Sequence, residues 1–393
     1  MRLLFITWDG PQVDYLETLF LPIFAGLREK GVATAVLQFC WGKDVQPLAE
    51  RCARAGVGYR AVPVWRRGGS VSALASAVHG ARYVRQMAAE FKPDAIMPRS
   101  HMPAVATMVA GGSKLASICF DADGLAAEER VEFGGVRSGS AIHRSLTAVE
   151  SAMLRQSAVV IVRSDYAASF LAARSGVPLD RFRMVANGRD PHLFNPGSTE
   201  SRATRRAKLG IPDDAILLAY AGSMGPQYRP DLIASTALAV SQAVPKCHLL
   251  VLSGDSSNAS RYLAAEDSRI LGFSTVMRVA PESVPGFLAA ADVGMSFRTQ
   301  TMSTRAVAPV KLGEYLLCGL PVIGTKGIGD TWPAEEAGVF LDGEAGASAI
   351  ARWVTEGVMP NRDHIRSKAR AVGLNNFSLS RSIEDYARAL GLA

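Results

Sequence analysis

Two short stretches of the 393-residue chain set charged side chains into apolar surroundings, where they could do chemistry. The first is Pro309 to Thr331, read P-V-K-L-G-E-Y-L-L-C-G-L-P-V-I-G-T-K-G-I-G-D-T. Its spacing predicts a short helix with Pro309 at the first helical position, where a missing N–H costs nothing. Leu312, Tyr315, Leu316 and Gly319 then share one face, and Lys311, Glu314 and Cys318 another. Gly319 ends the helix, Pro321 prevents its continuation, and Val322-Ile323 read as a buried strand before the loop Gly324 to Asp330. Lys311 falls in the first turn, where the helix dipole disfavours a cation. An anion bound at that N-terminus removes the conflict, so the pattern predicts a phosphate beside the helix and a hydroxyl-bearing group on Glu314. The second stretch is Asp121-Ala-Asp123-Gly124, two carboxylates after a predicted strand. His101, in Arg99-Ser100-His101, follows the strand before it.

These residues need a scaffold, and the chain supplies one by alternation. Predicted strands at Arg2 to Thr7, Val32 to Phe39, Gly58 to Val62, Asp94 to Met97, Leu115 to Phe120, Val159 to Val162 and Phe182 to Val185 are separated by helical patterns. The rhythm resumes with Ala215 to Ala221, His248 to Leu252, Arg269 to Leu271, the run after Asp292, and Val322-Ile323. Strands alternating with helices predict parallel pairing and an α/β, doubly wound architecture used twice. Turn chemistry and a polar run between Asn187 and Arg206 mark the boundary. The expected domains are 1–187 and 188–375, with a terminal helix, 376–393, that could pack back on the first. Ligands of open α/β sheets bind beyond the carboxyl ends of strands, where this chain places Asp9-Gly10, Asp121 to Gly124, Gly222 to Gly225, Gly254-Asp255 and Gly327 to Asp330. Glycine after a strand is also ordinary turn chemistry.

Length and composition bound the function. At 393 residues, 48% hydrophobic and 20% charged, the chain reads as two globular domains. No window approaches 18 consecutive apolar residues and the N-terminus runs directly into a strand, so neither a transmembrane span nor a signal peptide is expected. Five widely spaced cysteines read as reduced thiols of a cytoplasmic protein. The histidines lack ligand spacing, and no G-x-G-x-x-G follows Thr7 or Ala221, which argues against structural zinc and a dinucleotide-dependent dehydrogenase. The formal charge of +7 is compatible with anionic substrates. Trp65-Arg66-Arg67 with Arg82 and Arg85 reads by default as a plain basic surface, the alternative being contact with anionic membrane.

The Pro309–Thr331 stretch resembles the nucleotide-sugar signature of the retaining GT-B glycosyltransferases, in the family 4-like group (glycosyl transferases group 1). The resemblance rests on Pro309, Lys311, Gly313-Glu314-Tyr315, Cys318 to Ile323 and Gly327 to Asp330. Ala186 to Asp190 continuing to Phe194-Asn195-Pro196, Tyr220 to Ser223 and Ala291 to Gly294 resemble further landmarks in the family's order. It implies two Rossmann-like domains facing across a cleft, with the donor nucleotide on the second and the acceptor on the first. Glu314 matches the second carboxylate of a Glu-x7-Glu motif, implied to hold the ribose hydroxyls, but the first position carries Ala306. Many relatives place an Arg and, five residues later, a Lys to hold the diphosphate. Here those positions are Ser223 and Tyr228, which leaves Arg229 and Lys311 as substitutes.

The implied donor contacts are Gly10, Gly222, Ser223, Arg229, Lys311, Glu314, Gly327 and Asp330. On the acceptor side Asp121, Asp123 and His101 are the implied catalytic candidates, an aspartate serving as general base or polar clamp. Glu128 is a further acceptor-side candidate or simply part of a charged helix face. D-x-D is also the metal motif of the GT-A transferases, but this one lies far upstream of the donor signature, so no metal is expected. The implied activity is retaining, metal-independent transfer from a UDP-sugar or GDP-sugar to a hydroxyl of a glycan, lipid-linked or small-molecule acceptor. Polysaccharide or glycoconjugate biosynthesis would be its setting, in the cytoplasm or peripherally at the inner face of the membrane. No cofactor beyond the donor and no nucleic acid is expected. The alternatives are a UDP-sugar 2-epimerase-like enzyme and, given Ala306, an inactive nucleotide-sugar-binding subunit.

Overall fold

The structure is a computed structural model that describes residues 1–11, 14–42, 44–65, 69–329 and 331–392. Among these, seven strands form one sheet: β1 (Arg2–Asp9), β2 (Ala33–Cys40), β3 (Gly58–Pro63), β4 (Ala95–Pro98), β5 (Ser117–Asp121), β6 (Val159–Val162) and β7 (Phe182–Met184). Their order is β3-β2-β1-β4-β5-β6-β7 and every pairing is parallel. Parallel strands need crossovers, and the helices that supply them cover both faces. That is why β1 is an almost unbroken apolar run. Leu4 and Ile6 face a core shared with Ala81 and Val84 of the helix Gly69–Phe91. Phe5, on the other face, packs against Phe20 and Phe24 with ring centroids 4.6 and 5.2 Å away.

Six strands form the second sheet: β8 (Ile216–Ala221), β9 (Cys247–Leu252), β10 (Ser274–Met277), β11 (Val293–Ser296), β12 (Val322–Gly324) and β13 (Phe340–Asp342). The order is β10-β9-β8-β11-β12-β13, again parallel throughout. In each sheet the strand order reverses beside the first strand, between β1 and β4 and between β8 and β11. Such switch points open a crevice at the carboxyl edge of the sheet. The expected pair of doubly wound, Rossmann-like sheets is therefore present.

The chain divides into two compact units, one comprising Met1–Ala186, Arg305–Val307 and Ser382–Ala393, the other Asn187–Thr304 and Ala308–Arg381. In the first, the end of the helix Leu379–Ala389 seats on Leu21–Glu29 at a glycine, since a Cβ on Gly26 would lie 2.1 Å from Ile383 Cδ1. Ser382 Oγ donates to the Ala186 carbonyl at 2.5 Å, and Tyr386 is buried. The second unit is braced by arginines. Buried Asp292 accepts from Arg202 at 2.5 Å, Arg206 at 3.3 Å and the Leu217 amide at 2.8 Å. Arg366 and Arg370 donate to the carbonyls of Ala291 (2.8 Å) and Leu317 (2.5 Å), groups at helix ends that lack an intrahelical partner.

Two local expectations change. Pro309 is the N-cap, with φ −65° and ψ 115°, so the helix begins at Val310 and runs Val310–Leu317. The predicted strand at Arg269 to Leu271 is a 3₁₀ segment, Ser268–Phe273, because the Asp267 side chain accepts the Arg269 amide and starts a turn. The strand follows at Ser274–Met277, where Thr275 and Val276 pair with Leu250 and Val251.

Candidate functional sites

In the second unit the candidate site grows from the ends of β8, β11 and β12 around the helix Val310–Leu317. Tyr315 fixes that helix against the sheet: its hydroxyl accepts the Ala221 amide at 2.8 Å, and its ring lies where a Cβ on Gly294 would be, at 2.7 Å. One turn earlier, Lys311 reaches over the end of β8. Gly222 makes this possible, since a Cβ there would sit 2.6 Å from Lys311 Cε, and its φ of +132° is itself a glycine conformation. Lys311 Nζ donates to Tyr220 Oη at 2.9 Å and lies 4.1 and 4.6 Å from the ring centroids of Tyr220 and Tyr228. Tyr220 Oη donates onward to the Ser223 carbonyl at 2.5 Å. Among the described residues no carboxylate pairs with this ammonium. Burial and the neighbouring Arg298 push its pKa down to about 7, opposed by Glu314.

Arg298 carries a second cation at this edge, its guanidinium 5.2 Å from the Tyr228 ring centroid. Its backbone is bracketed by Thr325, whose Oγ1 accepts from the Arg298 amide at 3.1 Å and donates to its carbonyl at 3.0 Å. Thr299 ties the same loop to residues 226–227, donating to the carbonyls of Gln227 at 2.9 Å and Pro226 at 3.1 Å. Glu314 is half-buried and ion-paired with Arg189 Nε at 3.0 Å. The Arg189 guanidinium lies 5.0 Å from the Phe194 ring centroid. Gly327, at φ +72°, turns the loop after β12 beside Gln300, whose Nε2 donates to the Lys326 carbonyl at 3.1 Å.

Of the expected donor contacts, the structure gathers Gly222, Ser223, Lys311, Glu314 and Gly327 in this unit. Arg229, expected as a substitute phosphate ligand, is already ion-paired in this structure. Its Nε meets both Asp231 oxygens at 2.9 and 3.0 Å and its Nη1 meets Glu344 at 3.1 Å, so its charge is already matched. Asp330 lies outside the described residues. Gly10 belongs to the first unit, at the end of β1, where a Cβ would meet the Trp41 indole at 2.7 Å. Its lack of a side chain there admits Trp41. Ala306, at the position of the missing carboxylate, is fully buried in the first unit's core.

The first unit's candidate site lies at the ends of β4 and β5. Asp121 is fully buried and serves as an anchor: Arg163 Nη2 donates to it at 2.7 Å, Arg99 Nε is 3.9 Å away, and it accepts the Asp123 amide at 3.0 Å. That burial removes Asp121 from contact with a substrate in this conformation. Asp123, at φ +64° and with its side chain 38% exposed, is the carboxylate that reaches solvent. Arg99 Nη2 donates to it at 2.5 Å and Arg163 Nε is 3.6 Å away. Burial acts to raise its pKa, but Arg99 and Arg163 outweigh that and hold the carboxyl below its usual range. Arg163 Nη2 also donates to Tyr386 Oη at 3.2 Å, so the chain's last helix completes the network.

His101 does not line an open site. It is 5% exposed at the start of the helix His101–Ala110, with Nε2 3.7 Å from buried Glu150. Desolvation, with Arg130 and Arg174 nearby, lowers its pKa to about 4, so the ring is neutral at neutral pH. Glu128 is engaged too, accepting from Arg174 at 2.6 Å with His143 Nε2 3.2 Å away. Among the described residues no three His, Cys, Asp or Glu side chains gather as metal ligands, and no helix is long and apolar enough to cross a membrane. Trp65, Leu74 and Val78 are exposed, while Arg66 and Arg67 lie outside the described residues.

Sequence reasoning missed Arg298, Arg189, Arg99 and Arg163. The last two each stand next to a noted strand end, but their partners come from distant segments. Arg298 follows β11, and its position after a strand was the one available signal.

Residues 17–188 match the glycosyl transferase 4-like domain family. A D-inositol 3-phosphate glycosyltransferase of Saccharomonospora viridis is 30% identical over 212 residues, 49% of this chain and 46% of the relative. The chain thus spans about half the length of the curated relatives it matches. Among solved structures, HepE of Anabaena in complex with UDP superposes with a TM-score of 0.74 at 15% identity, covering 100% of both chains. A glycosyltransferase from Rickettsia africae gives 0.73 at 14%, covering 99% of both. The paired Rossmann-like sheets are those of the GT-B fold. With the family match over residues 17–188 and these relatives, the chain is similar to the glycosyl transferase 4-like group, glycosyl transferases group 1.

Proposed function

We propose that this protein is a retaining glycosyltransferase that takes its sugar from a nucleotide diphosphate, with UDP the first nucleotide to test, and transfers it to a hydroxyl acceptor. One observation carries the reading: among the described residues the Lys311 ammonium has no carboxylate partner, and it stands at a helix N-terminus three residues before half-buried Glu314. A buried cation is stable only when paired, and the first turn of a helix favours an anion, so this arrangement suits a phosphate. Glu314, oriented by Arg189, accepts hydrogen bonds from the ribose hydroxyls. Charge that develops on the leaving diphosphate is met by Lys311 and by backbone N–H groups near Gly222 and Gly327, each well-placed donor supplying roughly 3 kcal/mol.

On the acceptor side, Asp123 is the group that meets the incoming hydroxyl. Because Arg99 and Arg163 keep it ionised, it orients that hydroxyl by accepting a hydrogen bond and is a weak base. This fits front-side attack, in which the departing phosphate oxygen takes the acceptor proton and configuration is retained. No protein nucleophile is required. UDP and UDP-glucose neighbours in structure space make uridine nucleotides the natural probes.

Calorimetric titration tests the reading. UDP or GDP, with the corresponding sugar nucleotide, binds the wild-type protein, and Glu314→Gln weakens binding at least about tenfold through loss of a charged acceptor. The melting temperature stays within a few degrees because Gln keeps the shape at Arg189. Absence of binding by every nucleotide, or undiminished affinity in Glu314→Gln, refutes the assignment. Product analysis with and without added acceptor distinguishes transfer from epimerisation.

A further inference from the structure

Resting on the nucleotide-sugar reading above, we propose that Arg298 and Lys311, both seated on Tyr228, form the diphosphate clamp, so that the loop after β11 supplies the second phosphate-binding cation. Three observations support this. The first is charge. Lys311 Nζ and the Arg298 guanidinium lie 4.6 and 5.2 Å from the same ring centroid, and among the described residues neither pairs with a carboxylate. Two like charges held against one aromatic ring repel each other, and an anion bound beside them offsets that repulsion. The depressed proton affinity of Lys311 reflects that repulsion in part.

The second is contrast with the neighbouring arginines. Arg229, nearer in sequence to the first strand's end, is held by Asp231 and Glu344, and Arg189 is held by Glu314. Among the described residues the Arg298 guanidinium meets the Tyr228 ring and no carboxylate. The third is preorganisation. Thr325 brackets both backbone polar groups of Arg298, and Thr299 ties the following residue to 226–227, so Arg298 and the Tyr228 loop are held as one piece. A fixed backbone lowers the entropy lost when the side chain engages a ligand.

The division of labour follows from the side chains. Arg presents a planar fork that contacts two phosphate oxygens at once, while Lys provides a compact charge for one. Tyr228, whose position offers no cation, becomes the platform that holds both. The ligand class is therefore a pyrophosphate ester, with the nucleoside bound elsewhere.

Titrations of UDP and uridine against wild type, Arg298→Ala, Arg298→Lys, Tyr228→Leu and Lys311→Ala test this. Arg298→Ala is expected to weaken UDP binding about 10–100-fold, the worth of a charged, bidentate contact, while uridine affinity stays within about twofold. Arg298→Lys keeps the charge but loses the fork and falls between. Tyr228→Leu, which alters no charge, also weakens UDP selectively. If Lys311→Ala weakens UDP but Arg298→Ala does not, the clamp is refuted and the nucleotide site stands. If Arg298→Ala weakens uridine and UDP equally, the residue supports the fold and the clamp is refuted. If wild type binds neither UDP nor GDP, the function reading fails and the clamp with it.

Discussion

If the proposed donor site is right, the Lys311 ammonium, which has no carboxylate partner among the described residues, makes donor affinity depend on pH, with a sign and size that follow from its surroundings. In the free protein burial and Arg298 lower its pKa from 10.5 to about 7. A diphosphate beside it reverses both effects and restores the charged form, so binding raises the pKa. The site therefore takes up a proton on binding between about pH 7 and the bound value, and affinity falls as pH rises through 7. If the ligand returns the pKa to near 10.5, affinity at pH 8.5 is about 30-fold below that at pH 6, because each pKa unit of differential interaction is worth about 1.4 kcal/mol. UDP-glucose is the proper probe, since its diphosphate, unlike that of UDP, carries no phosphate proton that titrates in this range. Calorimetry at pH 8 in buffers of different ionisation enthalpy should report uptake of close to one proton. Lys311→Met should bind weakly at every pH with no such slope. A flat wild-type profile between pH 6 and 8.5, or proton uptake retained in Lys311→Met, refutes the reasoning.

Two further perturbations address the supports of each site. Gly222→Ala forces a Cβ onto Lys311 and strains a backbone at φ +132°, which should cost about 1–3 kcal/mol and displace the ammonium. UDP affinity should fall about tenfold or more, and affinity equal to wild type in a folded variant shows that Lys311 is not held by this close approach. Arg163→Met removes the main partner of buried Asp121 and should destabilise the protein by about 3 kcal/mol, the low end for a broken buried pair because Arg99 remains. Differential scanning calorimetry should show a lower transition temperature, largely recovered when Asp121→Asn is added. A change below about 1 kcal/mol means the pair is not a structural anchor.

Much of the second unit's site was legible in the chain because its parts are local. Lys311 and Glu314 stand three residues apart on one short helix, Gly319 and Pro321 end it, and Val322-Ile323 begin the next strand. Helical period, capping preference and dipole act over a few residues, so spacing alone carries them. The same holds for the alternation of strands and helices, which led to two parallel sheets. Where local signals are weak the reading slipped: the apolar run at Arg269 to Leu271 is too short to separate a strand from a 3₁₀ turn capped by Asp267.

Spacing could not tell Asp121 from Asp123. One is sealed by Arg163 and by Tyr386, which lies 223 residues beyond Arg163. The other is turned outward at φ +64° and held by Arg99. Nor could it show that Arg229 is spent on Glu344, that His101 points at Glu150, or that Gly10 makes room for Trp41. Each of these depends on which distant side chain fills a position, and so on the net charge left over once internal partners are counted. The sequence alone determined the paired doubly wound sheets and the helix carrying Lys311 and Glu314, since these follow from periodicity and chain direction. Tertiary packing alone decided which charged groups remain for a ligand, because pairing and burial are properties of neighbours that the chain brings together only when folded.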